Sequence, residues 1–444
     1  MILGARGRSA LIDEVCDSWD RSDSAAYPRR VLPRRTKRLL PVLALALVAP
    51  LGAVAPAHAA DPRKIGYAEW RQGGLDAGSF NGTELRKGRV RVADPVATRT
   101  LAGTTYDVGR WASPWTEPGF TLTELIGSWT ARTPGKSLGE VQVRGRTAGG
   151  RLTSWDTLAR WAAGDATFRR TSVPGQGDDL ADVNVDTWQV PGGVAAWQLR
   201  VSLLRAGAAD PSLRAVGAMA SRLPDVDDVA TSEPGVASGQ DNVVLDVPRW
   251  SQMVHSGHYP QWGNGGQAWC SPTSTSMVLG HYDALPRPRA YAWVDDDHPQ
   301  PWVDHAARST YDHSYDGTGN WPFNTAYAAP LAGGPSFVTR LRSLREAERF
   351  IAAGIPLVAS ISFGSGDLDG APISGTNGHL LVIAGFTRSG DVVVNDPAAA
   401  QNSGVRRTYD RGQFEDVWLP TSGGLVYVVT DPDHPLPTSP SGNW

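Results

Sequence analysis

The sequence predicts an α+β domain over residues 243–430 preceded by an all-β, sandwich-like domain over 62–223. Three observations predict this. The first half alternates apolar and polar residues at period two between closely spaced turn clusters. The second half mixes helical and strand periods. The 444 residues also hold 49 Gly and 33 Pro with no repeat, which favours short strands and many turns over a helical bundle. This length accommodates two or three domains.

In the first unit Val141 and Val143 alternate with polar residues, and Trp197, Leu199, Val201 and Leu203 share one face. Turn clusters fall at 133–135, 148–150, 174–179 and 191–193. Eight tryptophans (Trp70, Trp111, Trp115, Trp129, Trp155, Trp161, Trp188 and Trp197) are expected mainly in the core; stacking on sugars is the alternative. Residues 224–242 are acidic and turn-rich and predict a linker. In the second unit the pattern predicts helices over 274–282 and 343–353 and strands over 355–363, 379–386, 391–395 and 425–430. The 431–444 tail holds Pro432, Pro435, Pro437 and Pro440 and is expected to be a loose end.

Residues 1–59 read as a signal-containing presegment. Arg29, Arg30, Arg34, Arg35, Lys37 and Arg38 precede an apolar run over 39–55, and Ala57-His58-Ala59 follows as a small-residue cleavage site. The run is short for a membrane span and is broken by Pro41, Pro50 and Gly52, so no stable membrane association is expected. The Arg29-Arg30 pair leaves twin-arginine and general export both open. Cleavage near Ala59 leaves 33 Lys and Arg against 40 Asp and Glu, a net charge of −7. A secreted, mildly acidic protein gives no electrostatic support for binding nucleic acid.

The chain has two cysteines, and Cys16 lies in the presegment. The mature protein then carries Cys270 alone, with no internal disulfide open to it. Ser271 and Pro272 are good helix-start residues, so a helix is expected to begin at about Cys270–Pro272 with Ser271 as its cap. The positive end of a helix dipole favours a thiolate, which is what a nucleophile requires. His379 opens a strand after Gly378 and can serve as the base. The next strand, 391–395, follows a tight turn at Arg388-Ser389-Gly390, and the hairpin returns Asp396 to within a few residues of His379. A carboxylate there can orient the imidazole, with Asn395 as the fallback if Asp396 faces away.

Taken together, Val247-Pro248-Arg249-Trp250-Ser251-Gln252, Trp269-Cys270-Ser271-Pro272-Thr273-Ser274, Gly378-His379 and Asn395-Asp396-Pro397 resemble the papain-like cysteine peptidases. Within that clan the pattern is most similar to peptidase family thirty-nine, the bacteriocin-processing, double-glycine peptidases, and to their secreted actinobacterial stand-alone relatives. The resemblance implies a papain-like fold over 243–430 and a Cys270-His379-Asp396 triad. It also implies a Gln upstream of the cysteine that donates to the oxyanion. Gln252 is the match by motif position and Gln267 the alternative. Ser271 stands where the family carries Gly. Trp269 and Asn264 stand where transporter-borne members carry an acid and a Gln, so double-glycine leader cleavage does not carry over.

The activity implied is hydrolysis of peptide or amide bonds in a peptide or protein substrate, cell-wall peptides being a sub-case, with no metal or organic cofactor required. Two other readings use the same residues: an acyltransferase or transglutaminase-like enzyme, and a retired wall- or peptide-binding protein. Three further groups are read as structural. The His255-x-x-His258 pair lacks an intervening Glu, 295–298 with Asp304 and His305 reads as a solvated acidic loop, and 312–320 lacks the spacing of a calcium loop.

Overall fold

The computed structural model describes residues 63–226, 229–238 and 242–444. The signal-peptide reading and Cys16 lie outside the described residues.

The N-terminal region is mostly β. Two seven-stranded antiparallel sheets are built around Leu122–Arg132 with Ser212–Arg222, and around Leu138–Arg146 with Ala196–Arg205. Their apolar faces share one core, with Leu125, Ile126 and Trp129 from one sheet and Val141, Leu199 and Val201 from the other. The sheets approach closely: a Cβ on Gly145 would sit 2.7 Å from the Trp188 ring of the facing sheet, so only glycine fits there. Five of the eight tryptophans (Trp111, Trp129, Trp161, Trp188 and Trp197) are buried. Trp115 and Trp155 are partly exposed, but their faces are already taken by guanidinium groups. Arg144 lies 4.5 Å and Arg200 4.2 Å from the Trp155 ring, and Arg146 lies 4.8 Å from Trp115.

The C-terminal region is mixed α/β. A six-stranded antiparallel sheet runs in the order Ser336–Arg340, Leu425–Val429, Leu357–Phe363, Thr376–Phe386, Val392–Asn395, Arg406–Tyr409. Five α-helices accompany it among the described residues: α1 (Cys270–His281), α2 (Pro301–Thr310), α3 (Trp321–Ala332), α4 (Leu344–Ala352) and α5 (Arg411–Ser422). Leu380, Val382 and Ala384 face α1 and α3, whereas Leu381, Ile383 and Phe386 face α4 and α5. Asn320 caps α3 by accepting from Phe323 N at 3.1 Å, and Gly333 ends the helix with a left-handed φ of 87°.

Helices α2, α3 and α5 and strands Ser336–Arg340 and Arg406–Tyr409 were not expected from the pattern. Helix α3 is buried on nearly every side because it lies between the two regions, so it has no amphipathic period to read. Pro420 and Gly412 obscure the Phe414–Val417–Trp418 spacing of α5.

Two connecting segments also differ from expectation. Residues 232–237 of the 224–242 stretch are held against the second region rather than free. Glu415 accepts from Ser232 N at 2.7 Å, and Glu348 accepts from Gly235 N and Ala237 N at 2.9 and 3.0 Å. Its polar composition hides these bonds because they go to buried carboxylates on α4 and α5. The tail is docked rather than loose: Trp444 lies against Phe350 at 4.8 Å, buried Asn443 donates to Arg340 O at 2.9 Å, and Gly442 O accepts from Tyr67 N at 3.0 Å.

One apolar core runs through both regions. Trp129 and Trp161 contact Phe323 at ring distances of 6.1 and 5.3 Å. Polar bonds reinforce the seam: Ser128 Oγ accepts from Val338 N at 2.9 Å, Asp165 forms a two-point pair with Arg308 at 2.8 Å, and buried Arg170 donates to Arg308 O at 2.7 Å.

Candidate active site

Helix α1 starts at Cys270 itself. Trp269 is the cap residue, and its carbonyl accepts from Thr273 N at 3.0 Å. Ser271 is not the cap: it lies in the first turn, and its hydroxyl meets Tyr427 OH at 2.9 Å. The Cys270 thiol is buried and sits where the first-turn N–H groups lack intrahelical partners, so the local field favours negative charge. One turn on, the Ser274 hydroxyl donates to Leu380 O at 3.1 Å, which docks the start of α1 beside His379.

His379 lies near the start of the Thr376–Phe386 strand and is fully buried. The next strand pairs Val382 with Asn395 and Ile383 with Val394, and a bulge after Ile383 shifts the register. Asp396 follows directly, and its Oδ1 lies 2.8 Å from His379 Nε2. The carboxylate thus takes Nε2, and Nδ1 is the ring's other nitrogen. Asp396 Oδ2 accepts from Tyr409 OH at 2.8 Å, and its Oδ1 also accepts from Ala398 N at 3.0 Å. Burial pushes the Asp396 carboxyl up. The charge of His379 and the bonds from His379, Tyr409 and Ala398 outweigh burial and hold it below the ordinary value. Asn395, the fallback, is occupied elsewhere: it donates to Pro248 O at 2.8 Å and accepts from Arg406 at 2.6 Å.

Gln252 is buried in the single 3-10 turn Gln252–His255. Its backbone N donates to Pro397 O at 2.9 Å, next to Asp396, and its Nε2 donates to Gln267 O at 2.6 Å. One amide proton is left for another acceptor. The Gln267 side chain instead accepts from Gly257 N at 3.1 Å.

Residues 66–221 match the model of the Peptidase C39 N-terminal domain, and residues 244–426 match the model of the Peptidase C39-like family. Over these two segments the chain resembles the C39-like peptidases. No curated protein matches it. Among solved structures it is similar to a C39-like protein from Bacillus anthracis, at 17% identity and TM-score 0.29 over 43% of this chain and 98% of that one. It is also similar to the accessory secretory protein 1, 2 and 3 structure from Streptococcus pneumoniae, at 12% identity and TM-score 0.20 over 35% of this chain and 96% of that one.

Around Cys270 the fold places residues that sequence reasoning did not single out. Tyr315 and Tyr427 are pushed well above the ordinary phenol range, first by burial and further by the charges of Asp186 and Cys270. Asp186 comes from the N-terminal region, at the turn between strands Asp182–Asn184 and Thr187–Val194. It accepts from Trp321 N at the start of α3 at 3.1 Å and from its neighbour Thr187 at 3.1 Å. No local pattern marks it, because the contact that places it, with Trp321 N, spans more than a hundred residues of the chain.

Desolvation raises the Asp186 carboxyl to about 7, against the two bonds that favour its charged form. A raised acid binds its proton more tightly in the folded state. Its stabilisation is therefore fullest at low pH and is lost as pH climbs from the ordinary Asp range through about 7. Asp186→Asn keeps the acceptor for Trp321 N and removes the charge. The variant is expected to melt at least about 2 °C above wild type at pH 8 and close to it at pH 4. Equal melting differences at both pH values would refute this assignment.

Asp312, in the segment weighed for calcium, is a hydrogen-bond hub. It accepts from Ser172 N and Ser314 N at 3.0 Å and from Asn320 Nδ2 at 2.9 Å, so its oxygens face N–H donors.

Proposed function

We propose that this protein is a secreted cysteine peptidase of papain-like fold that hydrolyses peptide or amide bonds through Cys270, His379 and Asp396. The observation that carries the reading is the 2.8 Å His379–Asp396 bond beside the first turn of the Cys270 helix. A cysteine helix set against an antiparallel sheet that supplies His and then Asp supports the papain-like assignment.

His379 Nδ1 takes the thiol proton, and Sγ attacks the carbonyl carbon. Negative charge gathers on the carbonyl oxygen, where the Cys270 N–H and the Gln252 amide donate. His379 then protonates the leaving amine. Water, deprotonated by the same imidazole, releases the acyl group and regenerates the thiol. Asp396 acts throughout as the positioning residue for the ring.

The test is the rate of iodoacetamide alkylation of the mature chain against pH, followed on the Cys270 peptide. Wild type is expected to react well below pH 7, and His379→Ala to follow an ordinary thiol with a midpoint near about 8.5. Identical ordinary profiles for both proteins would overturn the ion pair and leave a binding protein.

A further inference from the structure

Charge is divided unevenly along the chain. Residues 63–222 hold 21 Lys and Arg against 15 Asp and Glu, whereas residues 223–444 hold 12 against 24. Part of the basic excess gathers on one sheet, the one that contains Thr104–Ala112, Leu138–Arg146 and Ala196–Arg205. It lies on the outer face, opposite the face that carries Val141, Leu199 and Val201 into the core. There Arg144 stands across from Gln198, Arg200 across from Gln142 and Arg110 across from Ser202. Arg144, Arg200 and Arg110 thus form a straight diagonal over three neighbouring strands. At one end guanidinium groups and indoles alternate. Arg146 lies 4.8 Å from Trp115, Arg144 lies 5.0 Å from Trp115 and 4.5 Å from Trp155, and Arg200 lies 4.2 Å from Trp155.

We propose that this diagonal is a docking face for an extended acidic peptide segment with Asp or Glu at alternate residues.

The row has no counter-charge of its own. Arg144 donates to Gln198 Oε1 at 2.9 and 2.7 Å, and Arg200 donates to Gln142 Oε1 at 2.8 Å, so both spend these bonds on neutral amides. The Arg110 guanidinium has no hydrogen bond or ion pair among the described residues. Glu140, on the same face, is almost fully buried and already paired with Arg99 and Arg160 at 3.0 Å. Glu117 pairs with Arg146 at 3.0 Å. Burial and the like charges of Arg110 and Arg144 hold the Arg200 guanidinium below its ordinary value, against the pull of Glu140. Like charges side by side on a sheet cost stability, and a bound carboxylate relieves that cost.

The spacing also fits. Diagonal neighbours on adjacent strands stand about 7–8 Å apart. Alternate side chains of an extended peptide share one face and stand about 6.7 Å apart. Three acids at i, i+2 and i+4 therefore meet the three arginines in turn. Stacking on Trp115 and Trp155 holds the guanidinium planes of Arg144 and Arg200 in place, which lowers the entropy lost when they take a carboxylate. The choice of a peptide over another polyanion rests on the peptidase reading, under which the chain acts on peptides or proteins.

The test uses the full mature chain carrying Cys270→Ala, so the probe is not consumed and the result is independent of the triad. The probe is a fluorescein-labelled peptide of alternating Asp and Thr, followed by anisotropy at about 50 mM salt. Saturable binding is expected, and it should weaken as salt is raised. Arg110→Ala and Arg200→Gln should each weaken it at least about threefold. Arg345→Ala removes the same charge from an exposed position on α4 and should leave it unchanged. Arg110→Ala deletes a guanidinium without a partner, so the fold does not depend on it, and near-ultraviolet dichroism checks Arg200→Gln. Absence of saturable binding overturns the proposal, and so does equal weakening by Arg345→Ala. Polyphosphate that binds where the acidic peptide does not overturns it as well and gives the face to a phosphate polymer.

Discussion

Cys270→Ala is expected to lower peptide or amide hydrolysis by at least about 10³-fold, because it removes the only nucleophile proposed for the site. Cleavage of a mixed peptide library, read by mass spectrometry, measures it. Cys270→Ser is expected to fail nearly as far. The alcohol occupies almost the same buried volume, but at neutral pH it does not share the thiol's readiness to ionise in the field of a helix start. Folding should survive, since the helix cap, Trp269 O to Thr273 N, involves neither the sulfur nor the oxygen. Cleavage undiminished in both variants would remove Cys270 from the chemistry altogether.

Glu348→Ala is expected to destabilise the protein by about 3–5 kcal/mol, the loss typical when one member of a buried ion pair is removed. Its carboxylate lies 2.9 Å from Arg411 Nη1, and both side chains are almost fully shielded from water. The same carboxylate accepts from Gly235 N and Ala237 N. Without it a guanidinium and two backbone donors lose their acceptor at once, and among the described residues Ser232, Glu233 and Gly390 remain as hydrogen-bond acceptors for Arg411. Urea unfolding gives the free energy, and proteolysis near 235 should accelerate in parallel. A loss under about 1 kcal/mol would mean that the pair is hydrated or compensated.

What the sequence made legible follows from where information is local. Strong period-two runs such as Leu380–Ile383 and the amphipathic face Leu344, Ala347, Phe350 and Ile351 mark their elements, because one side meets the core. The hairpin that joins His379 to Asp396 was readable from a tight turn and two strand lengths. Its bulge was not, so the face of Asp396 stayed open until the backbone was in view. Asp186 and the Arg144–Arg200–Arg110 diagonal depend on contacts between distant segments, which no local pattern encodes. The acidic linker was misleading for a related reason. Its backbone bonds to Glu348 and Glu415, whose positions are fixed more than a hundred residues later.

The Trp129–Trp161–Phe323 contact has a consequence for how such a chain can be rebuilt. Two segments that match separate family models share one interior here, so neither is a portable cassette. A peptidase segment grafted without its partner would present Phe323 and the length of α3 to water and would tend to aggregate. Calorimetry on the whole chain should show one endotherm rather than two. Variation at this seam is constrained in pairs: a change to one aromatic ring must be answered by a change across the boundary, so the two halves are bound to diverge together.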